Sequence, residues 1–338
     1  MSTTKDTWPR ERPVLNQYLA HLTGERELSA NTVRNYRDDL KLLFEFMDDS
    51  RLTSVTKIDR SFLRRYIAWL MSSRPVRSGN HKTNRGHKRG SVVRAIASLR
   101  SFFRYLIREQ IVPPSPIWQR GSRQSRALIP KTPVTLPHII ARDDIAKLVQ
   151  SPVDPELSSK PRGSIIPLRD LAILETLYAT GLRVSEIAGL NLEDVYIARK
   201  RIRTKGKGGK EREVLMGSKA QNALRSYLAN GRPSLVSKGR TNALFLNRFG
   251  NRLSTRSIQN MVKHYGMASI GIRVHPHMIR HTFATHMIDG GADLRIVQEL
   301  LGHSSPTTTQ IYTQVSTALA RKEYLMAHPR AKSKSMLT

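Results

Sequence analysis

Six residues in the second half of the chain have types and settings suited to attack on a phosphodiester. "ATGLRVSEIAGL" places Arg183 at the start of a helix, just after a glycine turn. "RTKGKGGKER" places Lys207 in a tight turn between two predicted strands, where a flexible amine can reach into a groove. "HMIRHTFATHM" sets His277 and Arg280 on one face of a helix, at i and i+3. "ELLGHSSPTTTQIYTQV" adds His303 and Tyr312. When a phosphodiester is attacked without a metal, negative charge gathers on the phosphoryl oxygens. Arginine suits this best, because its planar fork donates two parallel hydrogen bonds and its charge is permanent. A nucleophile must approach in line, and a donor must protonate the departing sugar oxygen. Tyrosine can be that nucleophile. With a pKa of ~10 it is neutral at pH 7 and needs nearby cations or a base.

Each of these residues also has a plainer reading. Arg183 can form a salt bridge with Glu186, one turn on. Lys205 and Lys210 share the turn of Lys207 and read as phosphate contacts. His281 and His286 read as packed or hydrogen-bonded neighbours. His303 follows Gly302, where a helix cap is common. Tyr312 is one of ten tyrosines. Other chemistries fit less well. "KGKGGKER" is not a P-loop, because Gly209-Lys210 is followed by Glu211. His277 and His281 have metal-ligand spacing, but Met278 stands where a zincin needs Glu, and no carboxylate cluster is near. There is no GxSxG, and no cysteine for thiolate chemistry or disulfides. Neither a cofactor nor a metal is expected.

The elements around these residues must sit in a strongly basic molecule. Lys and Arg number 57 against 26 Asp and Glu, a formal net charge of +31. A field of that size attracts polyanions, and nucleic acid is the natural partner because many cations displace condensed counterions. A membrane partner is not expected: no stretch approaches the ~20 apolar residues of a spanning helix, and no basic amphipathic terminal helix is present. The N-terminal "MSTTKDTWPRERPVLNQ" has charges without a following apolar run, so it does not read as a signal peptide. A cytoplasmic, nucleoid-associated protein is the expectation.

A chain of 338 residues suggests two domains. The first reads as four amphipathic helices sharing one core. Their apolar faces are Leu15, Tyr18, Leu19 and Leu22; then Val33 through Met47, with Ser29 or Asn31 as cap; then Phe62, Tyr66, Ile67 and Leu70; then Val92, Ile96, Leu99, Phe103 and Leu106. Between the third and fourth lies "SSRPVRSGNHKTNRGHKRG", too polar to pack and read as a solvated loop. It has no acids, so Arg74, Arg77, Lys82, Arg85, Lys88 and Arg89 are candidate DNA contacts. "PPSPIWQRGSRQSRALIPKTPVTLP" has the composition of a stiffened basic linker and adds Arg120, Arg123 and Arg126. The second part begins with a short helix, "ARDDIAKLVQ", followed by helix, glycine turn and helix in "PLRDLAILETLYATGLRVSEIAGL". A change to period two at 195–197, 201–204 and 212–216 predicts a three-stranded antiparallel sheet. Helical patterns resume at Thr255. "STALARKEYLM" extends them, with Val315, Leu319 and Met326 on one face.

Taken in order, "LRDLAILETLYATGLRVSEIAGL", "KGKGGKEREVLMG", "HPHMIRHTFATHMIDGGADLRIVQELLGHSSPTTTQIYTQV" and "AHPRA" resemble the tyrosine recombinase (phage integrase) family. Within it they are similar to the Xer-type site-specific recombinases, and "LSANTVRNYRDDLKLLFEFM" resembles that family's N-terminal domain. The resemblance implies a mainly α, two-domain C-shaped clamp. Residues 10–115 would be a SAM-like, four-helix core-binding domain, 116–136 the linker, 137–327 the catalytic domain and 328–338 a basic tail. Ser72–Gly90 would be this chain's own elaboration.

By the same resemblance, Arg183 and Arg280 clamp the scissile phosphate, and Lys207 protonates the leaving 5′-oxygen. His277 and His303 bond the phosphate and help move the tyrosine proton. Tyr312 attacks to give a 3′-phosphotyrosyl link, and strand exchange passes through a Holliday junction. The implied assembly is a homotetramer, or a heterotetramer with a paralogous recombinase, on two double-stranded DNA sites. The C-terminal segment would dock on a neighbouring subunit, against the plainer expectation that it packs on its own domain. The biological job would be chromosome dimer resolution in chromosome partition and cell division, mobile-element integration or excision, or inversion. The alternatives are a type IB-like topoisomerase, a non-catalytic architectural DNA-binding protein and a metallonuclease.

Overall fold

The computed structural model describes residues 13–72, 75–78, 81–84, 86–115, 117–118, 138–157, 165–206, 211–236, 241–302 and 317–331. The chain forms two compact units, Met1–Thr135 and Leu136–Thr338. It is mainly α, with a helical first domain and a helical second domain that carries a small three-stranded antiparallel sheet.

The first unit contains α1 (Pro13–Gly24), α2 (Ala30–Asp49), α3 (Arg60–Met71) and α4 (Arg89–Arg108). Ser29 caps α2 by accepting from the Thr32 N–H at 3.3 Å, and Asp59 caps α3 through the Phe62 N–H at 2.7 Å. The four apolar faces close on one core that includes Leu15, Leu40, Phe62, Tyr66, Phe102 and Leu106. Each such large side chain contributes roughly 1.5–3 kcal/mol by leaving water. Asp39 is buried in this unit and satisfied across helices. It accepts from Arg94 Nε at 3.1 Å, Arg94 Nη2 at 2.9 Å and the Ser98 hydroxyl at 2.8 Å.

The loop expected between α3 and α4 is not all loop. β1 (Pro75–Ser78) pairs antiparallel with β2 (His81–Asn84), with Ser78 opposite His81. The sequence between these partners is Gly79-Asn80, a two-residue hairpin signal that the polar composition obscured. Val76 and Thr83, both β-branched, are also partners.

The second unit is built around α6 (Ile166–Thr180), preceded by α5 (Arg142–Gln150). Nearly every residue of α6 from Arg169 onward is buried, which marks a central helix rather than a surface one. It stops at Gly181, whose φ of 61° lies in the left-handed region. The short α7 (Val184–Gly189) follows. The sheet then runs β3 (Val195–Tyr196), β4 (Arg201–Lys205) and β5 (Glu211–Leu215), neighbours in that order and antiparallel. Ile202 opposite Val214 buries one face. α8 (Ser218–Ser226), α9 (Thr255–Ile270), α10 (Pro276–Asp289) and α11 (Leu294–Leu301) complete the surround, with α12 (Thr317–Ala327) after the residues that carry Tyr312.

The described part of the C-terminal segment is held on its own domain, and not by the face expected from the sequence. Leu319 and Met326 are exposed, whereas Tyr324, Ala327 and His328 are buried. The aromatic ring of Tyr324 buries more surface, and its hydroxyl is satisfied by the Ala179 carbonyl at 3.0 Å. Tyr324 stacks on His328, whose Nε2 donates to the Tyr178 carbonyl at 3.2 Å while Nδ1 accepts from the Arg330 N–H at 3.1 Å. Arg330 pairs with Glu175 on α6, and burial pushes that carboxyl up while Arg330 opposes the shift. The turn sits so close that a Cβ on Gly217 would lie 2.5 Å from the Arg330 carbonyl oxygen.

This packing makes stability depend on pH. Burial pushes the His328 imidazole from 6.5 down to about 4, and burial moves His286 in the same direction. Between those values the unfolded chain binds the proton and the native chain does not. Stability present above pH 6.5 is therefore lost as pH falls toward 4, by about 3 kcal/mol for His328. Urea unfolding should give a lower midpoint at pH 5 than at pH 7, and His328→Gln should narrow that gap. An equal gap in both proteins would remove His328 as its source.

Candidate active site

Arg280 lies on α10 and is buried, and its guanidinium joins two distant parts of the chain. Nη1 donates to the Gly181 carbonyl at 2.6 Å, and Nη2 to the Leu301 carbonyl at 2.7 Å. Gly181 closes α6 two residues before Arg183, and Leu301 closes α11 two residues before His303. One side chain thus ties together the "GLR", "HMIR" and "LGH" sequences. Burial, helped by the nearby Arg183 and Arg212 cations and opposed by Glu186, pushes Arg280 down to about 10, so it stays charged at neutral pH.

Arg183 is the N-terminal cap of α7. Its backbone N–H donates to Glu186 Oε2 at 2.8 Å and its Nη1 to Oε1 at 3.0 Å. The side chain remains 43 % exposed. The salt bridge read as the plain alternative is therefore real, and it leaves the guanidinium open to a ligand. Glu186 has a second partner that the sequence reading missed. Arg212 on β5 donates to both of its oxygens, each at 3.0 Å. Burial works against ionisation of Glu186, but the donors from Arg212 and from Arg183 outweigh it and hold the carboxyl below the usual range. The signal for Arg212 was in the strand phase. It stands two residues before the buried Val214, so a charged side chain falls on the inward face of β5.

His277 is exposed near the start of α10, one turn before Arg280. His275 caps that helix, accepting from the Met278 N–H at 3.1 Å, and burial with the neighbouring His277 pushes it down. His286 is buried with Nδ1 2.9 Å from the Tyr178 hydroxyl, as its reading as a hydrogen-bonded neighbour expects. Among the described residues, no three His, Asp or Glu side chains form a group able to hold a metal. Lys207, Lys210, His303 and Tyr312 lie outside the described residues, as do Arg74, Arg85, Arg120, Arg123 and Arg126. The strands flanking Lys207 are neighbours, with Lys205 opposite Glu211 and their side chains 3.5 Å apart. Lys88 and Arg89 are exposed at the start of α4. Arg77 and Lys82 are register partners in the β1–β2 ladder.

The comparisons with known proteins agree with this architecture. Residues 142–318 match the phage integrase family, and residues 15–110 match the phage integrase N-terminal SAM-like domain. Tyrosine recombinase XerD of Staphylococcus epidermidis is 37 % identical over 321 residues, covering 94 % of this chain and 99 % of that protein. Tyrosine recombinase XerD of Mycobacterium tuberculosis is 38 % identical over 321 residues, covering 94 % and 98 %. The fold is also that of the XerH site-specific recombinase in a post-cleavage complex with palindromic difH substrate. That structure shares 20 % identity at a TM-score of 0.64, over 92 % of this chain and 84 % of the other. The chain belongs to the phage integrase family of tyrosine recombinases, and it matches Xer-type members along nearly its whole length.

Among the described residues, no helix is long and apolar enough to cross a membrane.

Proposed function

We propose that this protein exchanges strands between two copies of one DNA recombination site, with Tyr312 as nucleophile and Arg183 and Arg280 as phosphate clamp. The observation that carries the reading is the Arg280 guanidinium, bonded at once to Gly181 and Leu301. It supports the convergence of Arg183, Arg280, His303 and Tyr312 on one phosphate.

The step runs as follows. The Tyr312 oxygen bonds to phosphorus in line with the 5′-oxygen. The P–O5′ bond breaks, and the leaving oxygen takes a proton from Lys207. His277 and His303 donate hydrogen bonds to the phosphoryl oxygens, and one of the two takes the single tyrosine proton. The arginines neutralise the charge that builds on those oxygens, each worth ~10²–10³ in rate. A phosphodiester is exchanged for a phosphotyrosyl ester, so no nucleotide fuel is consumed. The 5′-hydroxyl of the partner strand then reverses the step. Two rounds pass through a Holliday junction, and four copies, alike or with a paralogue, act on two sites. Arg77 and Lys82 of the β1–β2 hairpin, with Lys88 and Arg89 at the start of α4, are the candidate phosphate contacts of the first unit. Localisation with the nucleoid in the cytoplasm follows from that substrate.

The test uses a site that the protein itself selects from a pool of random duplexes. Two such duplexes of different length, one labelled, should give Holliday junctions and exchanged products, and a duplex without the site should give none. Relaxation of supercoiled plasmid with no exchanged strands would favour a topoisomerase. DNA binding with neither outcome would favour an architectural protein.

A further inference from the structure

We propose that Arg212 is a positioning residue for strand cleavage, holding Arg183 in the phosphate clamp through the carboxylate they share and supporting the residue that precedes His303. The inference rests on the assignment of Arg183 to that clamp.

The geometry is specific. Glu186 Oε1 accepts from Arg183 Nη1 and Arg212 Nη1, both at 3.0 Å. Oε2 accepts from the Arg183 N–H at 2.8 Å and Arg212 Nη2 at 3.0 Å. Four donors occupy one carboxylate, and the two from Arg212 form a parallel fork that fixes its plane. Arg183 hangs from the same oxygens, so its direction is set by a plane that Arg212 maintains. Without Arg212, the Glu186 group can rotate, and Arg183 rotates with it.

The other side of the same guanidinium supports a second element. Gly302 ends α11 in the left-handed region, with φ 66°. A Cβ there would lie 2.9 Å from both Cζ and Nε of Arg212. Only glycine allows the backbone before His303 to rest this closely on the arginine. β5 also begins at Glu211, four residues after Lys207 in the sequence. Arg212 therefore touches the support of Arg183 and the approach to His303, from the strand that follows Lys207.

Stability alone does not explain an arginine here. Its Nε is buried with no hydrogen-bond partner among the described residues. A donor enclosed without an acceptor is destabilising. The rigid fork across Glu186 is what the arginine supplies and a lysine cannot.

The experiment compares adduct formation on the selected site with either a phosphodiester or a neutral methylphosphonate at the scissile position. On both, the tyrosine oxygen bonds phosphorus and the 5′-oxygen leaves with a proton. Only the first carries the charge that Arg183 answers. Arg212→Ala should slow adduct formation about 10- to 100-fold on the phosphodiester and much less on the methylphosphonate, in parallel with Arg183→Ala. Arg212→Lys should not restore the rate, and the double variant should be little slower than Arg183→Ala. Equal losses on both substrates, or no loss, would overturn the proposal and leave Arg212 a packing residue. If Arg183→Ala itself ignores the substrate charge, the clamp assignment fails, and Arg212 falls with it. The single variants keep these two failures apart.

Discussion

Tyr312→Phe should bind DNA as the wild type does and form no covalent adduct, a loss of about a millionfold that falls below detection. The change removes one oxygen and keeps the ring, so the cations that hold phosphates are untouched. The other tyrosines of the second unit are poor substitutes. Tyr178, Tyr227, Tyr265 and Tyr324 are buried, with hydroxyls engaged by His286, Leu244, Asp170 and Ala179 respectively. Burial pushes Tyr178 up to about 12 and raises the other three as well, which disfavours the phenolate needed for attack. Tyr196, half-buried on β3, is the control, and Tyr196→Phe should keep full adduct formation. Gel analysis in SDS with EDTA present reads both. A Tyr312→Phe protein that still forms adduct would sink the assignment of the nucleophile.

The second large effect is expected from Arg280→Ala. One guanidinium satisfies the Gly181 and Leu301 carbonyls, and alanine leaves both without that donor. Cleavage should fall ~10²–10³-fold or more, because a fixed cation is lost where charge develops. Stability should fall by only about 1–2 kcal/mol. Two lost hydrogen bonds to a charged donor would cost more, but removing Arg280 also relieves its repulsion with Arg183 and Arg212. Arg280→Lys keeps the charge and cannot span both carbonyls, so it should recover little activity. Single-turnover cleavage and urea unfolding on the same preparations separate the two effects. A cleavage rate that follows only the folded fraction would make Arg280 a structural strut.

The elements that were legible in the sequence are those written in local pattern. α2 repeats an apolar face over about four turns and announces its start with Ser29 or Asn31, of which Ser29 is the cap. Gly181 at the end of α6 and the alternation of β4 are equally local. The β1–β2 hairpin was hidden because its strands bear charges and only Gly79-Asn80 hints at the turn. The packed face of α12 was misjudged because apolarity favoured Leu319 and Met326. Tyr324 and His328 win through hydrogen bonds to α6 carbonyls that lie far away in the chain.

The same division holds in the candidate site. Arg183 and Arg280 stand out by type and spacing. Arg212 was legible only as the start of a predicted strand, since its pairing with Glu186 and its contact with Gly302 are both long-range.

The most direct measurement is to locate the covalent bond itself. Wild-type protein is incubated in EDTA with a nicked duplex of the selected site, digested with nuclease and trypsin, and mapped by mass spectrometry. Trypsin should release residues 296–321 as one peptide, in which Tyr312 is the single tyrosine. A nucleotide mass on that peptide, with a free 5′-hydroxyl on the released strand, is the expected result. Nucleotide on any other peptide, or cleavage that appears only when a divalent metal is restored, would contradict it.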